Sequence, residues 1–375
     1  VRASLAVVLV ACAPFLGRSL ASPASTAQEI DAIFSAVTTR DAPGLAVFVR
    51  RGDRVVLERG YGVRDLRTRA QIDPATNFRL ASCTKQFTAM AIMLLVHDGK
   101  LTYSTRLTDV FPEFPAYGKS ITIRNLLNHT SGLLDYEDLM TAAEKQRNTR
   151  LWTDTRQIQD AEVLKLLEGQ TTTKFPPGTK WEYSNSGYVV LGLVVARISG
   201  EPFPKFLHDR IFAPLHMQNT LAYVKGKNEV PNRAFGYSKN SNGWMETDQS
   251  PTSATLGDGG VYSSVAELAK WDGALEHHTL LSADEMRPAL TPVVVPNGAP
   301  VGPEGEPTAY GFGWFLGPYR GHARMWHYGE TVGFHTMIQR FTGDGLTIIV
   351  LSNRDDLNPG RLAGRVADLF FASPR

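Results

Sequence analysis

Cysteine is almost missing from this chain, with two residues in 375, Cys12 and Cys83. A disulfide-stapled fold is thereby excluded, and once an N-terminal leader is removed no intrachain pair is left to form. Excess charge is equally scarce. The formal net charge is +2, and no basic run with interleaved aromatics occurs, so nucleic-acid binding has no support. The densest basic stretch, Arg64 to Arg69, is interrupted by Asp65 and reads as a solvated turn between strands. Beyond the N-terminus no apolar run reaches the roughly eighteen residues of a membrane span. Also absent are a Gly-x-Ser-x-Gly elbow, a phosphate-binding glycine loop and a His-Glu-x-x-His pattern. The nine histidines are dispersed, so neither a metal nor any other cofactor is expected.

What the chain does have is apolar mass, 43% hydrophobic and 10% aromatic, enough for a large core as one domain or two lobes. Three short segments stand out from it: Ser82-Cys83-Thr84-Lys85, Tyr183-Ser184-Asn185 and His327-Tyr328-Gly329.

Ser82 and Lys85 open a stretch expected to be helical from Thr84 to His97 and to end at Gly99. On a helix, i and i+3 share a face. The stretch is apolar on nearly all sides, which places it inside a core. Desolvation lowers a lysine pKa, and a neutral amine beside Ser82 can take the hydroxyl proton as acyl attack begins. The backbone N–H of Ser82, at a helix start, is a candidate half of an oxyanion hole. Cys83 points about 100° away on a helix, which makes it a buried, inert thiol and not a rival nucleophile.

The second segment lies on a turn-rich loop, Phe175 to Gly187, before an apolar run, Tyr188 to Ile198, that reads as a buried helix. Tyr183 and Asn185 on such a loop can project together into a cleft. Beside the Lys85 ammonium, Tyr183 would be pushed toward phenolate and share the proton shuttle, while Asn185 would orient Lys85 or hold a substrate amide. The structural alternative is a packed tyrosine with a paired hydroxyl and an asparagine helix cap. The third segment sits in a strand-rich region. Gly329 and Gly333 allow close approach of another group to a sheet edge, and the backbone N–H of Glu330 could complete the oxyanion hole. His327 is alternatively a hydrogen-bonded histidine near a strand end.

With these segments in view, the chain resembles the serine β-lactamase and penicillin-binding protein superfamily, in the class C-like branch of D-alanyl-D-alanine carboxypeptidases, D-aminopeptidases and family VIII esterases. Further stretches carry the likeness from about Ile30 to about Phe371: Phe78-Arg79-Leu80-Ala81-Ser82, Ile123 to Leu133, Gly257 to Ser263, and Tyr310-Gly311-Phe312-Gly313-Trp314. The resemblance implies Ser82 as nucleophile, Lys85 as base or its partner, Tyr183 as proton shuttle, and Asn185 as anchor for substrate and lysine. His327 takes the place of a third-motif lysine. A histidine is mostly neutral near pH 7, so efficient β-lactam hydrolysis falls and esterase or peptidase activity rises in expectation.

Strand patterns near both ends, Leu45 to Val49 and Arg54 to Glu58 around Arg51-Gly52-Asp53, then Gly311 to Leu316, Ala323 to Trp326, Phe334 to Phe341 and Leu346 to Leu351, bracket a helical middle. Thr342 to Gly345 reads as a hairpin turn and Arg361 to Phe371 as a closing helix. An α+β sandwich follows: an antiparallel sheet built from both chain ends, flanked by helices, with a largely helical insertion, as in the β-lactamase/transpeptidase-like fold. Asp135 to Leu167 reads as a helical lid or wall, Thr291 to Pro307 as an irregular loop, and Asp258 as part of a turn, with lining the cleft as its alternative. Residues 1–27 read as an export leader, with Leu9-Val10-Ala11-Cys12 resembling a lipobox, and 28–375 as the hydrolase domain. The expected protein is therefore periplasmic or secreted, with a lipid anchor through Cys12 in one version of processing. It would act on a small-molecule or peptide substrate: a short ester, a D-amino-acid peptide or amide, or a β-lactam, in falling order. The competing class is a noncatalytic peptidoglycan-binding or scaffold protein in the same cleft.

Overall fold

The computed structural model describes residues 23–371. Most of the expected leader, including Cys12, lies outside the described residues, and the helix Pro23–Ser35 runs across the expected boundary at residue 27. A seven-stranded antiparallel sheet forms the scaffold. Its spatial order is Ala309–Tyr310, Phe315–Tyr319, His322–Thr331, Phe334–Phe341, Leu346–Ser352, Leu45–Arg51 and Arg54–Tyr61. The N-terminal hairpin thus docks on the C-terminal strands, Leu45 opposite Ser352 on one side and Tyr61 on the other. The expected sheet from both chain ends is what forms.

Alternation sorts the side chains. Val47 and Val49 face an outer layer made by Ile30, Phe34, Leu362 and Val366 of the two terminal helices, Pro23–Ser35 and Pro359–Phe371. Ala46, Phe48, Ile338 and Leu351 face the inner, helical layer. With both faces covered, Leu346–Ser352 is buried throughout, as a fully sandwiched strand must be. At the centre of the inner layer lies the helix Lys85–His97, whose residues from Lys85 to Leu95 are all buried. It packs on Asn185–Ser199, the helix expected from the second apolar run.

Two local expectations shift. The segment from Gly311 to Trp314 is not strand; it leaves the sheet between Tyr310 and Phe315 and passes against the Lys85 carbonyl, where a Cβ on Gly313 would come within 2.7 Å. The third-motif strand is longer than its apolar core suggests, His322–Thr331, which puts His327 mid-strand. Its neighbour Phe315–Tyr319 pairs only as far as Trp326. On that side residues 327–331 have no strand partner, and this is the open sheet edge the glycines were expected to serve.

Candidate active site

Ala81–Thr84 make one 3-10 turn running directly into the Lys85–His97 helix. Residues i and i+3 eclipse in such a turn, so Ser82 and Lys85 lie one above the other. The turn is clamped from two sides. Thr336 Oγ1 donates to Leu80 O at 2.9 Å and the Cys83 thiol to His327 O at 3.3 Å. Opposite, the Val261 amide donates to Thr84 Oγ1 at 3.1 Å and the Leu80 amide to Val261 O at 2.9 Å. Ala81 is held at φ +47°, a left-handed conformation that costs an L-residue about 1–2 kcal/mol. Backbone strain of this kind persists where its surroundings over-determine it. Burial pushes the Cys83 thiol up to about 12, consistent with the inert role expected of it.

Lys85 is fully buried, and its Nζ has three neighbours: Ser82 Oγ at 3.0 Å, Asn185 Oδ1 at 2.9 Å and the Asp258 main-chain oxygen at 2.9 Å. The two carbonyl-type oxygens can only accept, so they take two N–H groups. The third position faces Ser82 as an N–H in the ammonium or as a lone pair in the amine. Either protonation state is therefore satisfied without rearrangement. Burial lowers the lysine pKa to about 8, with the Asp258 charge opposing the fall.

Asn185 opens its helix as its first residue, while the cap is Ser184, whose side chain accepts from the Gly187 amide at 3.1 Å. Asn185 thus holds the lysine and is not the cap. Tyr183 lies over Lys85, ring centroid 5.0 Å from Nζ, and stacks parallel to Phe315. Here the expectation reverses. Burial of the hydroxyl drives its pKa well above 10, and Tyr183 stays a phenol. Nearby Ser82 works against that rise, yet the Tyr183 hydroxyl falls short of hydrogen-bond geometry and has no partner.

His327 is likewise not a cation. It is fully buried; Nδ1 lies 2.6 Å from the Tyr328 carbonyl, which can only accept, so Nδ1 carries the proton. Nε2 then accepts from the Tyr310 hydroxyl at 3.1 Å. Burial, then the Lys85 charge, pushes its pKa down to about 3. Gly329 explains how strand and turn come together: a Cβ there would meet Leu80 O at 2.1 Å and Thr336 Oγ1 at 2.4 Å. Glu330 follows, exposed on the open edge. Beyond it lies a cavity of about 800 Å³, bordered by Tyr328, Gly329, Glu330, Glu306, Asn358 and Arg361 but not by Ser82 or Lys85.

One residue of the site, His129, had no assigned role in the sequence, and a second, Asp258, was read first as a turn residue. His129 is buried at φ +62°, and its Nδ1 accepts from the Ser184 amide at 3.1 Å while its carbonyl accepts from the Glu182 amide at 3.0 Å. Its ring lies 4.4 Å from that of Tyr183. It therefore fixes the loop that carries Tyr183. Asp258 supplies the carbonyl under Lys85. Both fall within stretches singled out above, Ile123 to Leu133 and Gly257 to Ser263, but their contacts are long-range and no spacing announces them.

A buried lysine beside a serine at the mouth of a central helix, under a sheet built from both chain ends, defines a serine hydrolase of the acyl-enzyme class. The Beta-lactamase family model matches residues 30–372, and the chain belongs to that family. It is 30% identical over 324 residues, 83% of this chain and 68% of the relative, to penicillin-binding protein 4* of Bacillus subtilis strain 168. In fold it is similar to the octameric penicillin-binding protein homologue from Pyrococcus abyssi, with a TM-score of 0.75 at 24% identity over 94% of this chain and 78% of that one. It is equally similar to the D-amino acid amidase from Ochrobactrum anthropi SV3, with a TM-score of 0.75 at 24% identity over 93% and 98%.

Proposed function

We propose that the chain hydrolyses short esters, and after them D-amino-acid amides and peptides, through an acyl-enzyme on Ser82. The observation that carries this reading is the Lys85 amine 3.0 Å from Ser82 Oγ, its other two neighbours being acceptors alone. Lys85 takes the Ser82 proton as Oγ attacks the carbonyl carbon. Tyr183, kept a phenol by burial, relays the proton held by Lys85 to the leaving group, and in the second half-reaction it takes a proton from the attacking water as it hands its own to Lys85, which returns it to Ser82 Oγ as the acyl group leaves. Asn185 steadies Lys85 and offers its amide to the substrate. The backbone amides of Ser82 and Glu330 stabilise the oxyanion. Substrate choice follows from charge. A neutral His327 gives a substrate carboxylate no counter-ion at its own position, and Glu330 and Glu306 oppose one at the edge, while Arg324, Arg361 and Arg365 line the cavity beyond. Uncharged acyl donors are favoured over β-lactams and C-terminal carboxylates. Export by a leader over residues 1–27, with or without a lipid on Cys12, belongs to the same proposal, because cell-wall acyl groups lie outside the cytoplasm.

The test is time-resolved intact mass spectrometry with a short p-nitrophenyl ester, a D-amino-acid amide and a penicillin in separate reactions, with Ser82→Ala as control. A transient adduct with ester turnover, absent in the variant, is expected. A lasting penicilloyl mass would move the assignment to a peptidoglycan peptidase, rapid penicillin turnover to a β-lactamase, and no adduct with any acyl donor to a binding protein.

A further inference from the structure

We infer that Asp258 is a positioning residue for Lys85: its buried carboxylate is the counter-charge the lysine has in the interior once it carries the Ser82 proton. The inference rests on Lys85 being the base for Ser82. It starts from a side chain with nothing to do. Asp258 is 6% exposed; its Oδ1 is buried without a partner and its Oδ2 has only the Tyr136 hydroxyl, at a long 3.4 Å. A carboxylate left so poorly solvated is costly unless a charge nearby compensates it. Its own main-chain oxygen meanwhile holds Lys85 Nζ at 2.9 Å, which fixes the residue against the ammonium. The turn cannot swing away. A Cβ on Gly257 would meet the Tyr188 carbonyl at 2.2 Å, and Thr88 Oγ1 donates to Gly257 O at 2.6 Å.

The surroundings offer Lys85 no other carboxylate. Around Asp258, Asp160 has its carboxyl pushed up to about 8 by burial, against a hydrogen bond from the Leu256 amide that lowers it and with the Asp258 charge adding to the rise. Glu137 is also raised, by burial and then by Asp135 and Asp258, and Tyr136 lies well above its usual range. These groups move toward their neutral forms. Arg79, the other cation at the turn, donates to neutral oxygens, Ser253 Oγ at 2.5 Å, Ser253 O at 3.0 Å and Gly259 O at 3.4 Å, so Asp258 faces two cations, of which Lys85 is the one bound to its own carbonyl. Around Lys85 stand Ser82, Cys83, Asn185, Tyr183, Tyr188, His129 and His327, none of them a carboxylate; burial keeps the two histidines neutral and lowers the lysine pKa, a fall that the charge of Asp258 opposes most, followed by Cys83.

The step it serves balances simply. The Ser82 O–H bond breaks toward Nζ as the Oγ–carbon bond forms, and the carbonyl π pair moves onto oxygen. The interior gains an ammonium and an oxyanion. The oxyanion meets the backbone donors; the ammonium bonds the Asp258 main-chain oxygen, and the carboxylate of the same residue balances its charge without touching it. On collapse the leaving-group bond breaks and the leaving group departs with a proton, returning Lys85 to the amine.

The experiment reads Lys85 directly and through the reaction. In ¹³C-lysine-labelled protein, with the Lys85 Cε signal assigned by Lys85→Arg, the titration midpoint of Asp258→Asn is expected about one pH unit below wild type, a tenfold change in amine fraction on the acid side. The acid limb of kcat/KM for ester should move down by the same amount, and kcat should fall. Asp258→Ser is the second variant should the amide not fold. Asp258→Glu should restore the midpoint toward wild type. An unmoved Lys85 midpoint in the neutral variants overturns the inference, since a merely structural aspartate would lower activity and leave the midpoint in place. A moved midpoint with an unmoved limb supports the electrostatic role and instead removes Lys85 as the base.

Discussion

Single residues divide into those whose chemistry is local and those whose chemistry is made by burial. Ser82 and Lys85 belong to the first kind, because a spacing of three on a helical start brings them together whatever surrounds them. Tyr183 and His327 belong to the second. Their positions were legible, their protonation was not, since it depends on which atoms the rest of the chain places around them. His327 has a consequence for stability. Its pKa is about 3 folded, against the ordinary value of 6.5 unfolded. The unfolded chain therefore binds the extra proton first, and stability is whole above about pH 6.5 and is lost as pH falls toward 3. Roughly 5 kcal/mol attaches to a shift of this size as an upper order of magnitude. Buried His129 acts in the same direction. Urea unfolding of wild type at pH 7, 5 and 4 should show a steep fall. His327→Gln, less stable at pH 7, should show a shallower one, and parallel slopes would mean that other groups govern acid unfolding.

At the level of elements, the reading of helices was secure because Lys85–His97 and Asn185–Ser199 are apolar on all sides and long. Strand ends were harder. Residues 311–314 look like strand by composition, yet the backbone there is taken up by the approach to the Lys85 carbonyl, a tertiary demand with no local signature. The contact that makes the site is between two elements, the strand His322–Thr331 and the turn Ala81–Thr84, and Gly329 is where they touch. Adding one methyl must displace backbone, because the Leu80 carbonyl at 2.1 Å cannot rotate away as a side chain would. Gly329→Ala should lose about 1–3 kcal/mol in urea unfolding, the range for overpacking a tight core. Because the same displacement moves Glu330 from the Ser82 turn, kcat should fall more than KM rises. A variant with wild-type kcat would show that strand and turn need not touch for catalysis.

Across the whole molecule, the sheet is closed by strands from opposite ends of the chain, so the core between the sheet and the two terminal helices forms only when both ends have met. This much was legible, because strand patterns occur near both termini and helices between them. The terminal helix is what makes it binding on stability: Leu362, Ala363, Val366 and Ala367 are buried in one cluster with Val47, Val49, Ile348 and Val350, a face they cover together with Ile30 and Phe34 of the helix Pro23–Ser35. A fully buried leucine or valine contributes about 1.5–3 kcal/mol, and the uncovered strand residues would lose a comparable amount each. Against a total stability of about 5–15 kcal/mol, the sum is decisive. Deleting residues 359–375 should therefore abolish the cooperative thermal transition and ester turnover together, although that helix packs on the strands Phe334–Phe341 and Leu346–Ser352 and on the helix Pro23–Ser35, on the sheet's outer side. Loss of turnover with the transition intact would instead place the helix in substrate binding, at the cavity wall that Asn358 and Arg361 already form. The active site lies at the seam between sheet and insertion, and it exists only when both chain ends have met.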